Sequence, residues 1–212
     1  MSFIEQIKSH HLDILREVGN IGAGNAATAL SKILGKRVDM TVPNVRIVSF
    51  DEIMDMVGGA DNVIASIFLR IEGDAPGSIY FMLPIEQAEK YIELMTGEEN
   101  FSFENPPFPE LSVSALQELG NILSGSYLSA LSDFTKLNLY PTVPALGIDM
   151  VGAILSYGLM EVSQVSDYAI VIDTAVSEQE EITDSVKGHF FLLLDPESFA
   201  KIFGALGVPL DE

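Results

Sequence analysis

Apolar residues recur along the opening of the chain at three- and four-residue steps. Leu12, Leu15, Val18, Ile21, Ala26, Ala29, Leu30 and Ile33 follow a 3.6-residue period, which predicts a long amphipathic helix. Gly35 is placed to stop it. The period then changes. "KRVDMTVPNVRIVSF" reads as extended, "DEIMDMVGGAD" as a short helical or irregular stretch, and "NVIASIFLRIEG" and "GSIYFML" as strands flanking the turn "DAPG". A helix follows from Pro84, since proline suits a first helical turn. The same order then returns: a helix over Leu111–Phe134, an extended stretch over Leu137–Asp149, strands over Tyr168–Val176 and Lys187–Leu194, and a helix from Pro196.

The recurrence extends to the residues themselves. Leu12–Asn44 set against Val113–Ala145 needs no gap, and 12 of 33 positions are identical. "FMLPIEQAEKYIELM" parallels "LLLDPESFAKIFGAL", and the acidic stretch "SEQEEITDS" holds the extra length of the second copy. The chain reads as a tandem duplication within a single domain over 1–212, with repeats at about 1–96 and 111–212. The connector is 97–110, in the Pro-, Asn- and Glu-rich run "TGEENFSFENPPFPE". The expected fold is α/β of the α+β type: two helix–strand units around a shared, mainly antiparallel sheet with pseudo-twofold symmetry.

Composition narrows the chemistry. With 48% hydrophobic residues over 212 positions the chain can bury a core. The absence of cysteine excludes disulfides, thiolate metal sites and thiol nucleophiles. A net charge of −20 repels phosphate backbones and anionic lipids, which argues against nucleic acid; it suits either a protein partner with a basic patch or solubility alone. "MSFIEQIKSHHLD" lacks the pattern of a signal peptide, and apolar runs such as "VIASIFL" are too short to cross a bilayer. A soluble, cytoplasmic protein without membrane insertion is expected.

Within the duplication one polar constellation is repeated. Asp13, Glu17 and Asn20 stand at i, i+4 and i+7, and Ser114, Glu118 and Asn121 repeat the spacing. On a helix each trio forms one stripe opposite the apolar face. Twenty-two residues separate Asn20 from Pro43, and twenty-two separate Asn121 from Pro144. The helix runs about 21 Å from Asn20 to Leu34 at roughly 1.5 Å per residue. The extended return to Pro43 covers about 23 Å at roughly 3.3 Å per residue. Pro43 therefore comes back to the level of Asn20, at a sheet edge or bulge. Neither Glu nor Asn is a good nucleophile, but a carboxylate and an amide can grip a cation and orient water. The same residues also suit any solvated helix face, and spacing alone leaves both readings open.

The pattern Asp13-Glu17-Asn20-Pro43 and Ser114-Glu118-Asn121-Pro144 resembles the signature of the CheC/CheX/FliY family of bacterial chemotaxis phosphatases. The resemblance covers nearly the whole chain, "DILREVGNIGAGNAA" included, and lies closest to the duplicated CheC branch. CheX would be expected to carry one motif per chain. FliY would add a C-terminal flagellar-switch domain, whereas this chain ends at Glu212. The resemblance implies dephosphorylation of phospho-CheY, whose phosphoaspartate lies beside a Mg²⁺ held by that partner. It implies that Asn20 and Asn121 orient the attacking water and that Glu17 and Glu118 pair with a lysine of the regulator. It implies a second partner, the receptor deamidase CheD. No cofactor or metal of its own is expected. The alternative is a non-catalytic adaptor that sequesters CheD and docks phospho-CheY.

The remaining features point elsewhere. "GNIGAGN" has no strand before it and lies inside a helical pattern, so its glycines read as close helix packing. His10 and His11 are adjacent and do not share a helix face, which argues against a metal site. Asp149, just before a small-residue apolar segment, reads as a helix N-cap or as part of a CheD-docking surface.

Overall fold

In the computed structural model the described residues are 6–98, 101–104, 106–162, 168–178, 186–194 and 196–210. The chain opens with α1 (Ser9–Leu34), which Gly35 ends in the left-handed conformation at φ 63°. Strands β1 (Val38–Thr41) and β2 (Val45–Ser49) follow, then a short helix α2 (Phe50–Met56). Its cap is reciprocal: the Glu52 N–H donates to Ser49 Oγ, and the Ser49 N–H to Glu52 Oε2. The hairpin β3 (Val63–Gly73) and β4 (Gly77–Pro84) leads into α3 (Ile85–Thr96), with Pro84 at the N-cap and not in the first turn. The second copy runs α4 (Glu110–Thr135), β5 (Leu139–Pro141), β6 (Ala145–Met150), α5 (Val151–Val162), β7 (Tyr168–Glu178), β8 (Val186–Leu194) and α6 (Pro196–Ala205). Most of the acidic stretch "SEQEEITDS" lies outside the described residues.

The eight described strands form one sheet, and every pairing is antiparallel. Its order interlocks the two copies. β4 and β8 lie side by side at the centre. β7 continues beyond β8 and pairs on its far side with β1 and β2 of the first copy. β3 continues beyond β4 and pairs with β5 and β6 of the second copy. Each copy thus donates its edge strands to the hairpin of the other, which gives the expected shared sheet its pseudo-twofold symmetry.

Both faces of the sheet are covered. Phe190, Leu192 and Leu194 enter the larger core beneath α1, α3, α4 and α6, while Phe191 and Leu193 enter a smaller one beneath α2 and α5. This is why "FFLLL" is apolar without alternation: side chains point to opposite faces, and neither face meets water. The long helices pack closely where Gly22 faces Tyr127. A Cβ there would stand 2.8 Å from Tyr127 Cδ1 and 3.0 Å from its Cα. Of the three glycines in "GNIGAGN" this one fits the close-packing expectation. Gly19 leaves ordinary contact distance to Val42, and Gly24 faces open space.

The structure corrects the N-cap reading of Asp149. That residue ends no helix; it lies in β6 opposite Ile64, and its carboxylate accepts from the Met150 N–H at 2.7 Å. The first N–H groups of α5 are instead satisfied by backbone carbonyls, Val151 donating to Asn62 and Gly152 to Ala60. A fixed loop from the other copy does the capping, so no side-chain cap is required there.

Candidate active site

The two polar stripes lie on α1 and α4, the helices that cover the larger core. Asp13, Glu17, Asn20, Ser114, Glu118 and Asn121 are all exposed, as a stripe opposite the buried Leu15, Val18, Leu116 and Leu119 should be. Each proline lies where the geometric argument put it. In the first copy Val42–Asn44 spans the gap between β1 and β2, three residues opposite two on β7. In the second copy Thr142–Pro144 spans the gap between β5 and β6, again three residues opposite two on β3. Both are β-bulges on edge strands, where proline costs no ladder bond.

The bulge is tied to the helix in the first copy. The Asn20 Nδ2 donates to the carbonyls of Arg16 at 3.0 Å and Val42 at 3.3 Å, while the Val42 N–H donates to Asn20 Oδ1 at 3.0 Å. Asp13 holds Arg16 at 3.3 Å on the surface of the same helix.

The second copy is built differently. Asn121 Nδ2 points along its own helix to Glu118 Oε2 at 3.5 Å, at the outer limit of a hydrogen bond. Its bulge is held from the sheet side: the Thr142 N–H donates to the Arg70 carbonyl, and Thr142 Oγ1 accepts from the Arg70 N–H, both at 2.9 Å. The amide and carboxylate of this copy are thus both exposed and engage each other, where the first copy's amide engages its bulge.

One buried group felt by the Glu118 charge was missed by sequence reasoning. Tyr91, on α3, is buried, and its hydroxyl has no hydrogen-bond partner among the described residues. Burial first, and the Glu118 charge second, push its ionisation upward, so it stays a neutral donor. The aligned residue of the second copy is Ile202, and a tyrosine on an apolar helix face reads as core. No sequence signal distinguished it.

Asp149 is brought together with neither stripe. It borders a separate cleft of about 750 Å³ on the opposite side of the sheet, lined by Phe68, Tyr80, Ile148 and Ile154 with Arg70 and the buried Ser66. Among the described residues no group of three or more His, Asp or Glu is placed to hold a metal ion, and no helix is long and apolar enough to cross a membrane.

Comparison with known proteins sets this geometry in context. The CheC-like family matches at residues 11–47 and 111–148, the two helix-and-bulge units. The chain is 51% identical to the CheY-P phosphatase CheC of Bacillus subtilis (strain 168), over 99% of this chain and 100% of that protein. It is 30% identical to the flagellar motor switch phosphatase FliY of the same organism, over 61% of this chain and 33% of that one. The crystal structure of Thermotoga maritima FliY has the same fold, with a TM-score of 0.72 at 20% identity, covering 95% of this chain and 98% of that one.

Proposed function

This chain belongs to the CheC-like family, and from that premise we propose that it is a phosphatase that hydrolyses the aspartyl phosphate of the response regulator CheY. The observation that carries the reading is the exposed pair Glu118 and Asn121, one helical turn apart on a helix fixed from below by the sheet.

The chemistry asks little of the protein beyond position. An acyl phosphate is already activated, and its hydrolysis needs a water in line with the departing carboxylate. Asn121 holds that water through its amide, which donates and accepts at once. Glu118 grips the lysine beside the regulator's phosphoaspartate and so fixes the distance between amide and phosphorus. Asn20 and Glu17 play the same parts in the first copy. Positioning of this kind makes a bimolecular step effectively unimolecular and is worth several orders of magnitude in rate. The Mg²⁺ is expected on the regulator's own carboxylates, and a cytoplasmic setting follows from that partner.

The deamidase CheD is assigned to the Asp149 side. The support is the cleft there, apolar with one acidic and one basic group at its border, on the opposite side of the sheet from both stripes. CheY and CheD then bind together without competing.

The test is the decay of acyl-phosphorylated CheY with and without the chain, and with CheD added. Accelerated decay that is lost when Asn20 and Asn121 are both replaced by alanine supports catalysis. Decay at the spontaneous rate, with CheD still bound, leaves the non-catalytic adaptor.

A further inference from the structure

The tripeptide Thr-Val-Pro occurs at both bulges, and the structure folds it in two ways. In the first copy Val42 is buried at 2% exposure and Pro43 is exposed. In the second Pro144 is buried and Val143 stands 89% exposed, above every other exposed large apolar residue described. The sequence does not force this, since the same three residues bury their valine in the first copy. Thr142, bonded to the Arg70 backbone through both its N–H and its hydroxyl, holds the second bulge from the sheet side.

A second apolar side chain belongs to the same surface. Leu111, at 63% exposure, precedes Ser114 by three residues and Glu118 by seven, which puts it on the motif stripe of α4. The aligned position in α1 is His10, which is polar. The second motif is thus flanked by two strongly exposed aliphatic side chains, whereas beside the first the exposed aliphatic is Ile21, at 44%.

We propose that Leu111 and Val143 are the apolar anchors by which the second motif recognises its phosphorylated partner, so that the second site sets substrate affinity. This rests on the phosphatase reading above. The partner it fits is an acyl-phosphorylated receiver protein presenting a lysine to Glu118 with an apolar surface beside it. Charge supports that choice over a second copy of this chain. The chain carries −20 overall, and Glu110 and Glu118 are exposed on the same helix, so two copies would meet acid against acid. A lysine-bearing regulator meets acid with base. Aliphatic contacts beside the chemistry contribute equally to ground and transition states, so they lower KM and leave kcat alone.

The experiment is steady-state dephosphorylation of phospho-CheY by the full chain carrying Leu111→Ser, Val143→Ser or both. Both side chains are exposed, so the urea midpoint should not move. The double variant is expected to raise KM about tenfold, the scale set by uncovering two partly buried aliphatic side chains, with kcat within about twofold. Unchanged KM, or a fall in kcat at unchanged KM, overturns the anchor. A change in the chain's own association state with KM unchanged also overturns it and gives the patch to a second copy. A direct titration with beryllofluoride-activated CheY separates this inference from the reading beneath it. Binding weakened by the substitutions in a chain that hydrolyses nothing removes the phosphatase reading and keeps the anchor. Binding indifferent to both substitutions removes the anchor.

Discussion

Asn20 holds Val42 by both of its backbone polar groups: the Val42 N–H donates to Oδ1 at 3.0 Å, and the Val42 carbonyl accepts from Nδ2 at 3.3 Å. One side chain thereby joins α1 to the bulge that follows β1. Asn121, at the equivalent place in α4, bonds to Glu118 instead. The two asparagines have equal standing in the sequence and unequal structural duties. Asn20→Ala leaves the N–H of a buried residue without its acceptor, which costs about 1–2 kcal/mol. Asn121→Ala removes no contact to the rest of the fold and should shift stability by less than about 0.5 kcal/mol. Urea unfolding of the two variants checks this, and equal midpoints would contradict it.

The same difference divides the activity. Asn121 is exposed and its amide gives at most one long bond, to Glu118, whereas both Nδ2 hydrogens of Asn20 are taken by the Arg16 and Val42 carbonyls, so Asn20 must release one of them before it can donate to a water. Asn121→Ala should therefore remove the larger share of phosphatase activity and Asn20→Ala the smaller, with the double variant near the spontaneous decay rate but still binding phospho-CheY. The amide acts chiefly in the transition state, so its loss lowers kcat. Glu118→Ala should differ by raising KM as well, because it grips the partner. Kinetics at saturating phospho-CheY separate these effects. A double variant that hydrolyses at the unmutated rate would sink the catalytic assignment.

Much of this was legible beforehand, and the exceptions have physical causes. Helical period and Gly35 located α1 because a solvated face and a chain reversal leave local marks. Counting residues from Asn20 to Pro43 placed the bulge at the motif because helix and strand rises are fixed lengths. Pairing partners left no such mark. Nothing in "VDMT" says that it pairs with β7 of the other copy and not with its neighbour β3. The opposite orientations of Val42 and Val143 were equally invisible, since both follow from backbone bonds made to distant elements. Asp149 misled for a related reason: a residue suited to capping preceded a helix whose first N–H groups were already taken by Asn62 and Ala60.

The interlocked sheet makes each copy dependent on the other. The fragment Met1–Gly97 keeps the hairpin β3–β4 but loses β8 on one side and β5 and β6 on the other, and its own β1 and β2 lose β7. All of those ladder groups would be open edges, and the apolar face under α4 would meet water. The expected result is an aggregating or unfolded fragment, whereas Met1–Gly97 mixed with the complementary piece should recover the sheet. Circular dichroism and sedimentation of the separate and mixed pieces check this. A monomeric, cooperatively unfolding Met1–Gly97 would contradict it.

The start of α1 carries an acid-sensitive contact. His11 is buried, its Nδ1 accepts from the Lys8 N–H at 2.9 Å, and its Nε2 lies 3.1 Å from the Val208 carbonyl. Those partners require a neutral ring with the proton on Nε2. Its ring packs against Phe203 at 4.7 Å, which ties α1 to α6. Burial first, and then the neighbouring His10, hold its ionisation below the usual value of 6.5. The sign follows from linkage. Above 6.5 the ring is neutral in both folded and unfolded chains, and the contact contributes in full. As pH falls below 6.5 the unfolded chain takes up the proton first, so stability is lost progressively until the folded ring also titrates. Acidification from pH 7.5 to 5.5 should therefore lower the urea midpoint of the unmutated chain, in a window above that of ordinary carboxylates. His11→Phe keeps the packing against Phe203 but removes the titration. Its midpoint should be lower at pH 7.5, where two hydrogen bonds are lost, and flatter between pH 7.5 and 5.5. A variant with the same slope as the unmutated chain over that interval would show that the acid sensitivity lies elsewhere.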